Sequence, residues 1–398
     1  MNKIDVARRD FLKASGLGSI AVMTAMGATA GPVIVETLPA SVDERPKYHI
    51  SFAVCGMSHD HIYGMIEAVE RGGGRLAAAW GAEPDKVAAF TARFPGVKMA
   101  NTQEEILENQ SVQLVLSSQI ASERADIGVR AMRRGKDFLA DKPGITTLED
   151  LALVRQVIVE SQRIYGIMYS ERLEVRAAVY AGDLIKQGAI GQVIQTINIA
   201  PHQIQQGVAA GDAGGASKRP KWFWNDTQFG GILCDIGSHQ IEQFLYYTGS
   251  TSAEVVASQV ANIRHPNRPH FQDFGDMMLR GTGGFGYVRL DWFTPDGLGT
   301  WGDGRLFILG TDGYIEVRKY NNIAVSERGD NLFIVDGART RQIDCSKGPL
   351  PFGSNFVADI VNRTHTAQDQ AQCLLAAELA IKAQKGAIHA SLKNVDRA

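Results

Sequence analysis

An ammonium, a carboxylate and an imidazole stand in two short segments whose residue types could act on an alcohol. Lys142 lies in Asp141-Lys142-Pro143, directly after the apolar run Lys136 to Ala140. Asp235 and His239 end Gly230-Gly231-Ile232-Leu233-Cys234-Asp235-Ile236-Gly237-Ser238-His239, about a hundred residues later. Turning a secondary alcohol into a ketone needs a base for the hydroxyl proton, a positive group at the developing oxyanion and a hydride acceptor. Lys142 and His239 can supply the first two. An imidazole suits proton exchange because its ordinary pKa lies near neutrality. Each residue also has a plainer reading. A lysine before proline at a strand end is commonly a solvated loop charge, Asp235 could cap a helix over 238–247, and His239 could be structural.

A third segment bears on the hydride acceptor. The strand-like run His49 to Cys55 ends in Gly56-Met57-Ser58-His59-Asp60-His61. A dinucleotide turn has the pattern G-x-G-x-x-G, in which glycines admit the pyrophosphate to a helix start. Only the first glycine is kept, with Ser58 and His61 at the other two positions. Gly81 stands where an acidic residue would hold the ribose, and Glu83 follows two residues on. His59-Asp60-His61 also invites a metal reading. Two histidines in a turn rarely suffice, however, and no third ligand is evident nearby, so no metal is expected.

Together the segments around Lys142 and His239 resemble the E-K-P and G-G-x-L-x-D-x-G-x-H motifs of the Gfo/Idh/MocA family, which includes glucose-fructose oxidoreductase and inositol dehydrogenase. The resemblance extends over nearly the whole chain after the N-terminal segment. It implies a tightly bound NAD or NADP, a sugar or glycoside substrate oxidised at a ring hydroxyl, and Lys142 beside the nicotinamide positioning the reacting oxygen. It further implies that Asp235 orients the sugar and that His239 is the acid/base. Gly56, Met57, Ser58, His59, Asp60, His61, Glu83, Ser117 and Lys142 are then the expected cofactor contacts. Trp222 and Trp224, in Trp222-Phe223-Trp224, are candidate stacking walls for a sugar ring or else core. The run from Asp291-Trp292-Phe293 to Trp301-Gly302-Asp303 either borders the cleft or merely connects strands.

These residues need a scaffold, and the periodicity supplies one. Strands at 49–55, 75–80, 112–117 and 136–140 alternate with helices at 62–71, 84–94, 121–134 and 148–160, which predicts βαβ units and a Rossmann-like parallel sheet over 48–176. After a helix at 177–187 come strands at 193–199, 254–262, 276–279, 285–293, 305–309, 314–318 and 332–335. Strands in series without crossover helices predict an α+β domain over 177–398 with a large, mostly antiparallel open sheet. A helix over 367–385 closes the chain. Such a sheet often pairs between subunits, so a homo-oligomer is expected.

The N-terminus predicts an address. Arg8-Arg9, Phe11, Leu12 and Lys13, followed by a weakly apolar stretch to Ala30, match a twin-arginine signal except that Ala7 replaces Ser or Thr. The predicted partner is the twin-arginine translocase, the location periplasmic or otherwise exported, and residues 31–47 a linker. Export of folded cargo fits an enzyme that must be filled with cofactor first. Outside the cytoplasm that cofactor needs resetting by a second substrate or electron acceptor, or by a redox-neutral path such as glycoside cleavage through a transient keto sugar. A non-catalytic sugar-binding or sensory role is the rival from another class. With 41 basic and 43 acidic residues among 398, no charge surplus points to nucleic acid. The four cysteines follow no metal or disulfide spacing.

Overall fold

The computed structural model describes residues 33–40, 45–204, 219–323, 325 and 328–392. The twin-arginine segment and its cleavage region lie outside these residues. Residues 33–398 make one compact unit containing both sheets.

The first sheet is built from apolar runs that are buried on both faces, as a parallel sheet between helices requires. Its strands are β2 (Ile50–Cys55), β3 (Gly74–Trp80), β4 (Lys98–Met99), β5 (Leu114–Ser117), β6 (Asp137–Asp141) and β7 (Tyr165–Met168). They lie in the order β4-β3-β2-β5-β6-β7, all parallel. The order reverses between β2 and β5. Ligands of open α/β sheets bind at such a switch point, beyond the carboxyl ends of the strands. Gly56, at φ +101°, begins the turn after β2, and a helix starts at His61. Lys142 follows β6 directly. Arg124, 1% exposed, fixes it there by donating to the carbonyls of Gln119, Asp141 and Lys142.

The second sheet has ten strands: β1 (Ile34–Thr37), β8 (Val193–Pro201), β9 (Ala253–Ala261), β10 (Phe274–Gly281), β11 (Gly284–Asp291), β12 (Arg305–Gly310), β13 (Gly313–Arg318), β14 (Asn331–Asp336), β15 (Thr340–Asp344) and β16 (Ile388–His389). Six of its nine pairings are antiparallel; β1/β15, β8/β11 and β9/β16 are parallel. The expected mostly antiparallel open sheet is thus found. Part of the segment expected as a linker is instead the edge strand β1, paired with β15 and exposed on most residues. Four exposed or half-exposed residues carry too little apolar periodicity to announce a strand.

One face of this sheet carries the helix Gly237–Thr248, on which the closing helix Gln370–Lys385 packs. Nearly every side chain of Gly237–Thr248 is buried, including Ser238, His239, Gln240, Glu242 and Gln243. Some of its buried polar groups are committed to specific partners, whereas His239 Nδ1 and the side-chain oxygens of Gln240 and Gln243 have none. Glu242 accepts from Arg172, and Gln240 donates to Glu171 at 2.9 Å. That burial carries Asp235 and His239 against the carboxyl edge of the first sheet.

Candidate active site

Between the sheets lies a cleft of about 480 Å³ lined by Lys142, Asp235 and His239 together with His59, Asp60 and His61. Two segments 93 residues apart meet at its floor, where Lys142 Nζ donates to Asp235 Oδ1 at 2.9 Å. Both side chains are largely buried, at 6% and 13% exposure, so the charges are held together rather than solvated. The plain reading of Lys142 as a loop charge is therefore excluded by its place. Asp235 gives no side-chain cap to the helix at Gly237.

His239 is 2% exposed and its Nδ1 has no hydrogen-bond partner. Burial pushes its pKa well below the ordinary imidazole value; the ionised Glu171 opposes this and Lys142, His61 and Lys319 reinforce it. The near-neutral pKa expected from residue type is thus not kept. His239 stands as a neutral ring with a free nitrogen, a group that takes a proton only as charge develops beside it.

Sequence reasoning missed a second layer of the cleft. Glu171 and His202 line it, contributed by the segment after β7 and the end of β8. Burial alone would raise the Glu171 carboxyl, but Lys319, His239 and His202 hold it below the ordinary carboxylate range. Lys319 Nζ donates to Glu171 Oε2 at 2.6 Å, while Oε1 has no hydrogen-bond partner and lies 4.0 Å from His202 Nε2. His202 Nδ1 sits 3.2 Å from the Ala200 carbonyl and so carries the proton, and burial lowers its pKa to about 4. No spacing linked Glu171, His202 and Lys319, because their proximity is set by the pairing of two sheets.

The aromatic candidates divide. Trp222, Trp292 and Trp301 line the cleft, and the run beginning at Asp291 does border it. Trp224 does not: its ring packs 4.8 Å from that of Phe271 with Arg268 over its face. The short helix Lys221–Trp224 turns Trp222 and Phe223 to the cleft and Trp224 away from it, which residue type alone could not show.

The buried imidazoles carry a pH prediction. His59, His202 and His239 all have pKa values lowered by burial from the ordinary 6.5. The unfolded chain therefore binds more protons than the folded chain below about pH 6.5, and stability must fall as pH drops toward 4. Asp141, held low by Arg124 and His61 against its own burial, and Glu171 add a further loss below the ordinary carboxylate range. Melting temperatures recorded from about pH 8 to about pH 4 should hold down to about pH 6.5 and decline below it. A flat curve across it would contradict these burials.

The nicotinamide cofactor implied by the resemblance can be set against the crevice itself. The switch point, the positive-φ Gly56 and the helix start after it are present. At the adenosine end the protein's own polar groups are paired with one another. The Ser58 hydroxyl lies 2.7 Å from Glu83 Oε1 and 2.9 Å from Gln119 Oε1, so the acidic group expected at the ribose is tied to the serine that replaces the second glycine. The His59 backbone N–H donates to the Ser118 carbonyl at 3.0 Å, and Ser118 Oγ donates to the His59 carbonyl at 2.7 Å, joining the turn to the loop after β5. Met57 covers Gly81, whose added Cβ would meet Met57 Cγ at 2.8 Å. Met57, Ser58, Ser117 and Gln119 are at most 4% exposed. Asp60, at the helix start, is paired with Lys86 Nζ at 2.7 Å, which offsets its charge toward a pyrophosphate. A dinucleotide laid across this crevice with its ribose at the end of β3 would have to exchange the Ser58–Glu83 and Ser58–Gln119 contacts for its own.

Comparison with known proteins places the chain. Residues 179–316 match the profile of the GFO/IDH/MocA C-terminal domain. No curated protein sequence matches. A candidate oxidoreductase from Erwinia carotovora atroseptica SCRI1043, of known crystal structure, is 42% identical over 86% of this chain and 100% of its own, with a TM-score of 0.81. Two more distant structures share the fold. Levoglucosan dehydrogenase in complex with NADH and levoglucosan is 15% identical, covering 85% of this chain and 97% of its own, with a TM-score of 0.68. KijD10, a 3-ketoreductase from Actinomadura kijaniata in complex with NADP, is 18% identical, covering 86% and 96%, with a TM-score of 0.66. The full-length 42% relative and the C-terminal domain match, on a shared two-sheet architecture, show that the chain belongs to the GFO/IDH/MocA family of oxidoreductases.

Proposed function

We propose that the protein is an exported oxidoreductase acting at a ring hydroxyl of a sugar or glycoside, with the reacting oxygen beside Lys142, Asp235 and His239. The observation that carries this reading is the Lys142–Asp235 ion pair at the floor of a cleft walled by indole rings. Those rings offer flat apolar faces to the C–H side of a sugar, while the buried charges meet its hydroxyls. Lys142 donates to the reacting oxygen and stabilises it as negative charge grows; Asp235 holds the ammonium in place and takes a neighbouring hydroxyl. The neutral His239 receives the hydroxyl proton, helped by the ionised Glu171. The nicotinamide-bearing neighbours, one a dehydrogenase and one a ketoreductase, support hydride transfer between a sugar alcohol and its ketone, and tight retention of NAD or NADP goes with export through the twin-arginine pathway.

A second reading is favoured by the ties among Ser58, Glu83 and Gln119. They support a cofactor-free role for the same pocket, as a sugar-binding or sensory protein. Denaturing the purified full chain and measuring released NAD(P) by absorbance and mass, then titrating the native protein with NAD and NADP, separates the two. Stoichiometric cofactor, or saturable uptake, would support the oxidoreductase; a protein that holds none and binds none rules out its nicotinamide form. Where cofactor is present, product analysis on a glycoside distinguishes a keto sugar from cleavage through a transient one.

A further inference from the structure

The turn that departs from the dinucleotide pattern brings a different donor set into the cleft. His59, His61 and Asp141 each offer one ligand atom, and the three atoms lie within 4.8 Å of one another. Asp141 comes from the end of β6, 80 residues beyond His61, which is why no third ligand was evident along the sequence. His61 Nδ1 and Asp141 Oδ1 are 2.9 Å apart as a hydrogen-bonded pair, and a tetrahedral ion bound at about 2.0–2.2 Å needs them to part by only about 0.5 Å. His59 Nδ1, 3.9 Å from Asp141 Oδ2, accepts only a 3.2 Å bond from the His61 backbone N–H and therefore carries a lone pair. Asp141 Oδ2 faces Arg124 at 3.0 Å as an ion pair, yet it is buried without any hydrogen bond. Arg124 keeps the carboxylate charged and leaves Oδ1 as its ligand atom, at some cost in affinity for a cation.

We propose that His59, His61 and Asp141 form a site for one divalent transition-metal ion of the zinc class, open toward the cleft that contains Lys142. Two imidazoles and a carboxylate with a free fourth position make a catalytic rather than a structural type of site. Both histidines border the cleft, so the open position faces the space where a hydroxyl or carbonyl oxygen of the substrate would lie. The ion acts there as a Lewis acid on that oxygen. On binding, the His61 proton moves from Nδ1 to Nε2, which frees the Nδ1 lone pair, and the bond from the His61 N–H to His59 Nδ1 is exchanged for a metal bond. His61, which stands where the pattern has its third glycine, is thus one of the ligands.

The test uses the full chain, stripped with a chelator, and Zn²⁺ as the probe. Calorimetric titration should show one Zn²⁺ per chain, and the protein as purified should retain metal through gel filtration by elemental analysis. His61→Ala should weaken binding at least about 10-fold while leaving the circular dichroism spectrum unchanged, because the side chain is 38% exposed. Asp141→Asn should do the same, but it also removes the partner of Arg124; His61→Ala is therefore the decisive variant. No Zn²⁺ binding, or binding equal in wild type and His61→Ala, overturns the proposal. Lys142→Ala should leave Zn²⁺ binding intact, so failure here and failure of the sugar-directed reading are told apart.

Discussion

Replacing Lys142 by alanine is expected to lower kcat about 10³-fold with whichever sugar the protein turns over, while the chain still folds. The fold survives because the backbone at this point is held by Arg124, which grips the carbonyls of Asp141 and Lys142 independently of the lysine side chain. Truncation leaves Asp235 without its ionic partner at 13% exposure, and that costs stability by about 1–3 kcal/mol. The loss should fall on kcat more than KM, since the ammonium matters most as charge develops on the substrate oxygen. Lys142→Arg should not rescue it: a planar guanidinium cannot replace a point donor packed against one carboxylate oxygen. Steady-state kinetics with a parallel melting curve checks both parts. Wild-type kcat in Lys142→Ala would remove the residue from the mechanism.

The largest expected effect on stability lies in the layer behind the cleft. Lys319→Met leaves the Glu171 carboxylate, 3% exposed, with only Gln240 as a donor and no countercharge in contact. Breaking a buried pair from one side costs about 3–5 kcal/mol. The double variant with Glu171→Gln should recover much of that loss, because a neutral amide no longer needs the ammonium. In Lys319→Met alone the Glu171 pKa rises above that of the unfolded chain, so the variant gains relative to wild type as pH falls. Urea unfolding of wild type, single and double variants at two pH values measures this. A single variant as stable as wild type would mean that the pair is not desolvated as described.

The parts of the protein that were legible beforehand are those written locally. The strands β2, β5 and β6 read as uninterrupted apolar runs, and the alternation with helices announced a parallel sheet because each unit is short and self-contained. Lys142 and Asp235 could be paired in advance only through the family's two motifs; their 2.9 Å contact is a product of two sheets packing. Glu171, His202 and Lys319 carried no signal at all. Their types are common, and only the meeting of three distant segments makes them a cluster. Residue type also misled at His239, where burial removed the near-neutral titration that makes histidine attractive, and at Trp224, which lies half-buried against Phe271 and away from the cleft. At Gly56 to His61 the sequence showed that the fingerprint was broken. That Ser58 at the break bonds Gln119, and that His59 and His61 meet Asp141, needed the fold.

The central claim is that a sugar hydroxyl sits at the Lys142–Asp235–His239 floor. A crystal structure of the full chain with methyl β-glucoside at high concentration tests it most directly. The account predicts the ring against the indoles of the cleft, with one hydroxyl oxygen about 2.6–3.2 Å from Lys142 Nζ and within reach of the His239 ring. A glycoside bound away from this floor, or lying in the cleft with no hydroxyl near Lys142, would contradict it.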